Sequence, residues 1–205
     1  MTLDDFKIYL PKYLSSESEK HLFDSLKDFP ENIDQRLYTD YLKDDPVIYQ
    51  GDGLNNLLAV NLPSLETKEV PGMIISNTCD IDPTNKRNFP SQIVYAPILS
   101  FKKYADTLNS AITISDEQIK SHLDAIRKQY ITQIFYLPPL KNKLEESIVF
   151  LDRIFNIGNN YCNRNELNET RIFTLSDFGN YLFLFKLSLH FTRIQDKVER
   201  KSPEI

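Results

Sequence analysis

Apolar and polar positions alternate in blocks along this chain, and the clearest block lies in its middle. Two apolar runs, 72–76 and 92–99, flank a polar stretch holding Asn77, Thr78, Cys79, Asp80, Asp82, Lys86 and Arg87. Short runs rich in Ile and Val, bounded by Pro, Asn and Asp, predict paired strands joined by an exposed loop. The same pattern extends outwards. Residues 47–49 form a short apolar run before the turn signal Gln50-Gly51-Asp52-Gly53, and 57–62 form a second. The stretch 64–69 reads as a polar loop, while 131–137 and 147–157 read as later strands. Residues 159–169, rich in Asn, read as a loop.

Helical spacing appears at the two ends and once in between. Thr2 caps an expected helix over 3–10, with Asp4 and Asp5 in its first turn. Ser16 with Glu19 makes a capping box ahead of Leu22, Phe23, Leu26 and Phe29, and Pro30 closes that helix. Ser115 caps a helix over 115–130, with Ile119, His122, Leu123 and Ile126 on one face. Ser176 caps the last helix, which runs to about Arg200. Phe178, Tyr181, Leu182, Phe185 and Leu189 line one side of it, and Leu184, Leu187, Phe191, Ile194 and Val198 line another. A helix apolar over so much of its circumference is expected to be covered twice, and a homodimer through it is the expected second cover. The fold class is therefore mainly β with α additions. It has a helical lobe over 1–45, a small barrel over 46–205, a helical insertion at about 102–130 and a long C-terminal helix.

Charge separates the same two regions. Residues 1–50 carry eleven acids and six bases, which accounts for the whole formal charge of −5; taking these from the chain's 29 acids and 24 bases leaves eighteen of each. An acidic chain is a poor match to indiscriminate nucleic-acid binding, which rests on phosphate neutralisation. No apolar run approaches the roughly 18 residues of a membrane span, and the start of the chain has acids where a secretory leader carries bases. A cytoplasmic location with no membrane contact is expected. Cys79 and Cys162 show no ligand-type spacing, and no Gly-rich phosphate loop is present, so neither a metal nor a nucleotide cofactor is expected.

Candidate chemistry concentrates between the central strands. Thr78, Cys79 and Asp80 bring a hydroxyl, a thiol and a carboxylate together where a strand leaves the core. They are candidates for a nucleophilic site with a remote histidine as base. The same residues also read as Asx turns at Asp80 and Asp82 and a small apolar Cys79. Lys86, Arg87 and Phe89 are candidates for binding phosphate and stacking a base of single-stranded RNA, although two adjacent bases are more often an ordinary solvated turn. His21, His122 and His190 form no motif. Bases late in the last helix complement its dipole.

Four stretches resemble the MazF/PemK-like toxin family. Gly51-Asp52 followed by LLAVNLP is similar to its opening turn and strand, and VPGMIISN at 70–77 resembles its second strand. NKRNFPSQIVYAPILS at 85–100 resembles its asparagine-arginine loop and next strand, and ESIVFLDRIFNIG with RIFTLSD resembles its late strand and the lead into its last helix. The resemblance covers 47–101 and 131–195. It implies a small SH3-like barrel, a dimer, a protein partner such as an antitoxin, and ribonuclease ancestry. It also implies an arginine where this chain has Val70 and a threonine where it has Leu99. Cleavage of RNA through its 2′-hydroxyl needs a proton acceptor and a cation or donor, which valine and leucine do not supply. The expected function is thus a binding or interaction module in a prokaryotic toxin–antitoxin or defence system. The alternative is a divergent endoribonuclease working from residues 78–87, where Arg87 of the loop is retained.

Overall fold

A computed structural model describes residue 24 and residues 29–31, 33–110 and 115–192. The helices expected over 3–10 and after Ser16 lie outside the described residues, except for Asp24 and Phe29. So does the chain beyond Thr192, with Ile194, Val198 and the late bases. Within the described residues the strands are β1 (Tyr38–Thr39), β2 (Gly53–Asn61), β3 (Glu66–Ile74), β4 (Gln92–Ser100), β5 (Ile134–Leu137), β6 (Ser147–Phe150), β7 (Phe155–Gly158) and β8 (Arg171–Leu175). The helices are α1 (Ile33–Arg36), α2 (Thr78–Ile81), α3 (Phe101–Asn109), α4 (Asp116–Arg127), α5 (Leu167–Thr170) and α6 (Asp177–Thr192). All registered strand pairs are antiparallel, and the order is β1-β8-β2-β3-β4-β6-β5, with β7 also pairing β4. The protein is a mixed α/β molecule built on an open antiparallel sheet, which agrees with the expected β chain with helical additions. No helix among the described residues is long and apolar enough to cross a membrane.

Alternation along the strands sorts side chains into separate cores. Met73, Ala96, Ile98, Phe135, Leu137, Val149 and Phe173 face one way and meet Phe178, Tyr181, Leu182 and Phe183 of α6. Their strand neighbours Ile74, Ile93 and Tyr95 face the other way and pack with Leu54, Leu57 and Ile81. A third cluster seats the helical insertion: Phe101 and Ile126 meet Ile134, Tyr136, Ile148 and Phe150 on the outer face of β5 and β6. Ser115 and Gln118 form the capping box of α4, and Ser176 accepts the Gly179 N–H at 3.1 Å at the start of α6. Ile33 and Leu37, from the segment expected as a helical lobe, are buried in the first cluster, and β1 pairs β8.

Three local expectations change. Residues 47–49 are not a strand; the Tyr49 N–H turns back to the Asp52 carboxylate at 2.9 Å. The polar stretch 64–69 is largely strand, because β3 begins at Glu66 and pairs β2 as far as Asn61. The run 147–157 is two strands, broken at Asp152-Arg153, so that β4 pairs β7 along residues 92–95 and β6 along 98–100. Pro97 stands at that changeover, where a missing N–H costs the ladder nothing.

The sheet has an outer edge at β5, and side chains occupy it. The Gln129 amide accepts the Tyr136 N–H at 3.1 Å and donates to the Tyr136 carbonyl at 2.7 Å, which reproduces one rung of a strand pair. Lys186 Nζ donates to the Ile134 carbonyl and, at 2.7 Å, to Gln129 Oε1. The Tyr38 hydroxyl, from the far end of the sheet, donates to the Pro138 carbonyl at 2.8 Å. Burial pushes the Lys186 ammonium down to about 7 from 10.5. At the opposite end Arg171 is buried against Asp52 (3.2 Å) and donates to the carbonyls of Leu42, Lys43, Asp45 and Val47. Burial raises the Asp52 carboxyl to about 6 against the pull of Arg171 and the Tyr49 N–H.

Candidate functional site: a loop and a groove beside β3

The loop singled out in the sequence is built by its own polar groups. Asn77 caps α2 by accepting the Cys79 N–H at 3.0 Å, and the Thr78 hydroxyl accepts the Gln50 N–H at 3.0 Å. The Asn85 amide donates to the Cys79 carbonyl at 2.6 Å. Asp82 accepts both the N–H and the hydroxyl of Thr84 at 2.8 Å, the Asx turn of the plainer reading, and these bonds lower its carboxyl below the usual value. Asn159 and Arg164 reach across to the Ile81 carbonyl and fasten the loop to the segment after β7.

Chemically this loop holds little that is free. Asp80 and Arg87 pair at 2.6 Å, so the retained arginine meets an anion of its own chain. Cys79 is exposed, but the two described histidines are engaged elsewhere: His122 with the Tyr104 hydroxyl at 2.9 Å, and His190 against the Phe191 ring. Thr78, Cys79 and Asp80 therefore share one short helix without a histidine base beside them among the described residues, and His21 lies outside those residues. Lys86 and Phe89 are exposed, Phe89 at 84%. A shallow recess of about 410 Å³ lies under Asn77, Asp80 and Arg87.

The larger cavity lies elsewhere. β3 and β4 pair only from Ile74–Tyr95 to Gly72–Pro97 and then separate at Pro71, which has no N–H to continue the ladder. A groove of about 840 Å³ opens there, walled by Glu66, Thr67, Lys68 and Val70 of β3, Ala59, Val60 and Asn61 of β2, and Pro97 and Leu99 of β4. Asp152, Arg153, Ile154 and Phe155 complete it. Val70 and Leu99, which are far apart in sequence, thus face one cavity. Arg153 lies over the Phe150 ring at 4.2 Å, and Asp152 accepts from the Gln133 amide at 2.7 Å. Among the described residues the Glu66 and Lys68 side chains carry no ion pair.

Sequence reading reached Val70 and Leu99 as departures from a toxin pattern and missed the rest of this groove. The charged pair Asp152-Arg153 inside an apolar run was the available signal. As chemistry, the groove offers an apolar floor between two strands with one bare acid and one bare base at its rim. That suits binding better than proton transfer. No protein-family model matches the chain, and no curated protein matches it.

Proposed function

We propose that this chain is a MazF/PemK-like barrel protein that acts as a binding module, in a prokaryotic toxin–antitoxin or defence setting, with the ribonuclease centre lost. The observation that carries the reading is the convergence of Val70 and Leu99 on one groove. These are the two positions at which the resembling toxins place an arginine and a threonine, and here they present only hydrocarbon. The pairing of Arg87 with Asp80 adds to it, since a phosphate would have to displace a carboxylate at 2.6 Å. A homodimer through the last helix belongs to the same reading; Phe191 is 58% exposed, and Leu184, Leu187 and Leu189 are only half-buried.

The test is incubation of the purified chain with fluorogenic single-stranded RNA at low and at physiological salt. No cleavage is expected. Cleavage that disappears in Arg87→Ala would overturn the reading in favour of a divergent endoribonuclease using the 78–87 loop. Light scattering after size exclusion measures the dimer.

A further inference from the structure

We propose that the open edge of β3, from Glu66 to Pro71, receives an extended segment of a partner protein, which joins the sheet as an added strand beside the groove. The inference rests on the binding-module reading and names the kind of partner it takes.

Backbone direction makes the case. Ile74 points its N–H and carbonyl at the β2 side, to the Asp52 carbonyl and Gly51 N–H, both at 2.8 Å, whereas the Ile75 N–H goes to Val94 on β4. Successive residues of a strand alternate in this respect. Thr67 and Glu69 therefore turn their amides away from β2, toward the gap that β4 leaves beyond the Gly72–Pro97 rung. The β2–β3 pairing continues down to Asn61–Glu66, so this edge is already held extended. Little ordering cost remains for a strand that adds to it.

The gap also selects its occupant. β3 and β4 are neighbours at Gly72–Pro97 and diverge from that point, and the groove of about 840 Å³ between them lies directly beside the outward amides. Charge complementarity adds sequence preference. Glu66, Lys68 and Val70 share one face, so an antiparallel partner places an apolar, an acidic and a basic residue at alternate positions opposite them. The charges and Pro71 keep the bare edge from indiscriminate pairing.

Panning a phage-displayed random dodecapeptide library against the full chain supplies the probe, and the selected peptide is then used labelled. It is expected to slow amide exchange at Thr67 and Glu69 in the unaltered protein, and Glu69→Pro, which removes one outward N–H, is expected to weaken it at least ten-fold. The exchange measurement needs no variant, so it stands even if Glu69→Pro folds poorly. Peptides that bind without protecting these amides, or equally well to Glu69→Pro, overturn strand addition and leave a binding module. Failure to select any peptide overturns it too, as does concentration-dependent protection of the same amides without peptide, which would assign the edge to a second copy. RNA cleavage would instead remove the reading beneath it.

Discussion

The outer edges of β5 and β3 meet the same physical problem and solve it differently. Each exposes alternate N–H and carbonyl groups on one side of a strand. On β5 the outward groups of residues 134, 136 and 138 are taken up: the Ile134 N–H by the Ile131 carbonyl, both groups of Tyr136 by Gln129, and the carbonyls of Ile134 and Pro138 by Lys186 and Tyr38. On β3 the outward amides of residues 67 and 69 have no partner among the described residues and face the groove rimmed by Glu66 and Lys68. The first edge is buried, with every residue of β5 inside, so unpaired backbone there would cost about 1–3 kcal/mol per group. The second is solvated at residues 66–69, where water satisfies the backbone without penalty. Burial is what forces closure of one edge and permits the other to stay open.

Breaking the closed edge has the largest expected effect. Gln129→Ala keeps the β-carbon at a residue whose φ is 59°, so backbone strain is unchanged, but it leaves the Tyr136 N–H and carbonyl buried without partners. Two such groups predict a loss of about 2–6 kcal/mol, read as a lower urea midpoint. If the midpoint stays within experimental error, the amide does not act as a surrogate strand.

The next effect is a pH dependence on that edge. Burial holds the Lys186 ammonium at about 7 rather than 10.5, so across that window the unfolded chain binds more protons than the native one. Stability is therefore expected to rise with pH between about 7 and 10, by up to about 1.4 kcal/mol per pH unit. Lys186→Met removes this slope. Urea titrations of both proteins at three alkaline pH values check it, and equal slopes would refute the assignment. Asp52 gives an opposite check: with its carboxyl raised to about 6 from 3.8, the native state binds the extra proton below pH 6, and its contribution falls as pH climbs from 4 to 6.

The comparison also explains what could be read from the chain alone. The central strand pair, the insertion helix with its Ser115 cap, and the last helix beginning at Ser176 were legible because each is specified by local spacing. The closed edge was not, since Lys186 lies 57 residues from Gln129 and nothing local marks either as a partner. Residues 66–69 misled for the converse reason. A strand solvated on both faces has no apolar alternation, so ETKE reads as loop although it pairs β2 throughout. For the site, polar density drew attention to residues 77–89, where the side chains hold one another. The groove stayed hidden because its rim comes from four separate segments.

The smallest effect on stability is expected at the open edge. Replacing Glu66, Lys68 and Glu69 together by threonine keeps strand propensity and removes three side chains without ion-pair partners among the described residues, so the urea midpoint should move by no more than about 0.5 kcal/mol. Behaviour in solution should change all the same. An uncharged, extended edge with free amides pairs with whatever strand it meets, and the variant is expected to grow into larger species with concentration, followed by dynamic light scattering. The Gln129 variant makes the contrast: it should lose stability at any concentration, because its fault lies within the folded molecule. Were the threonine variant to remain as dispersed as the parent, the charges would not guard that edge, and the amides of Thr67 and Glu69 would have to be protected by something other than charge.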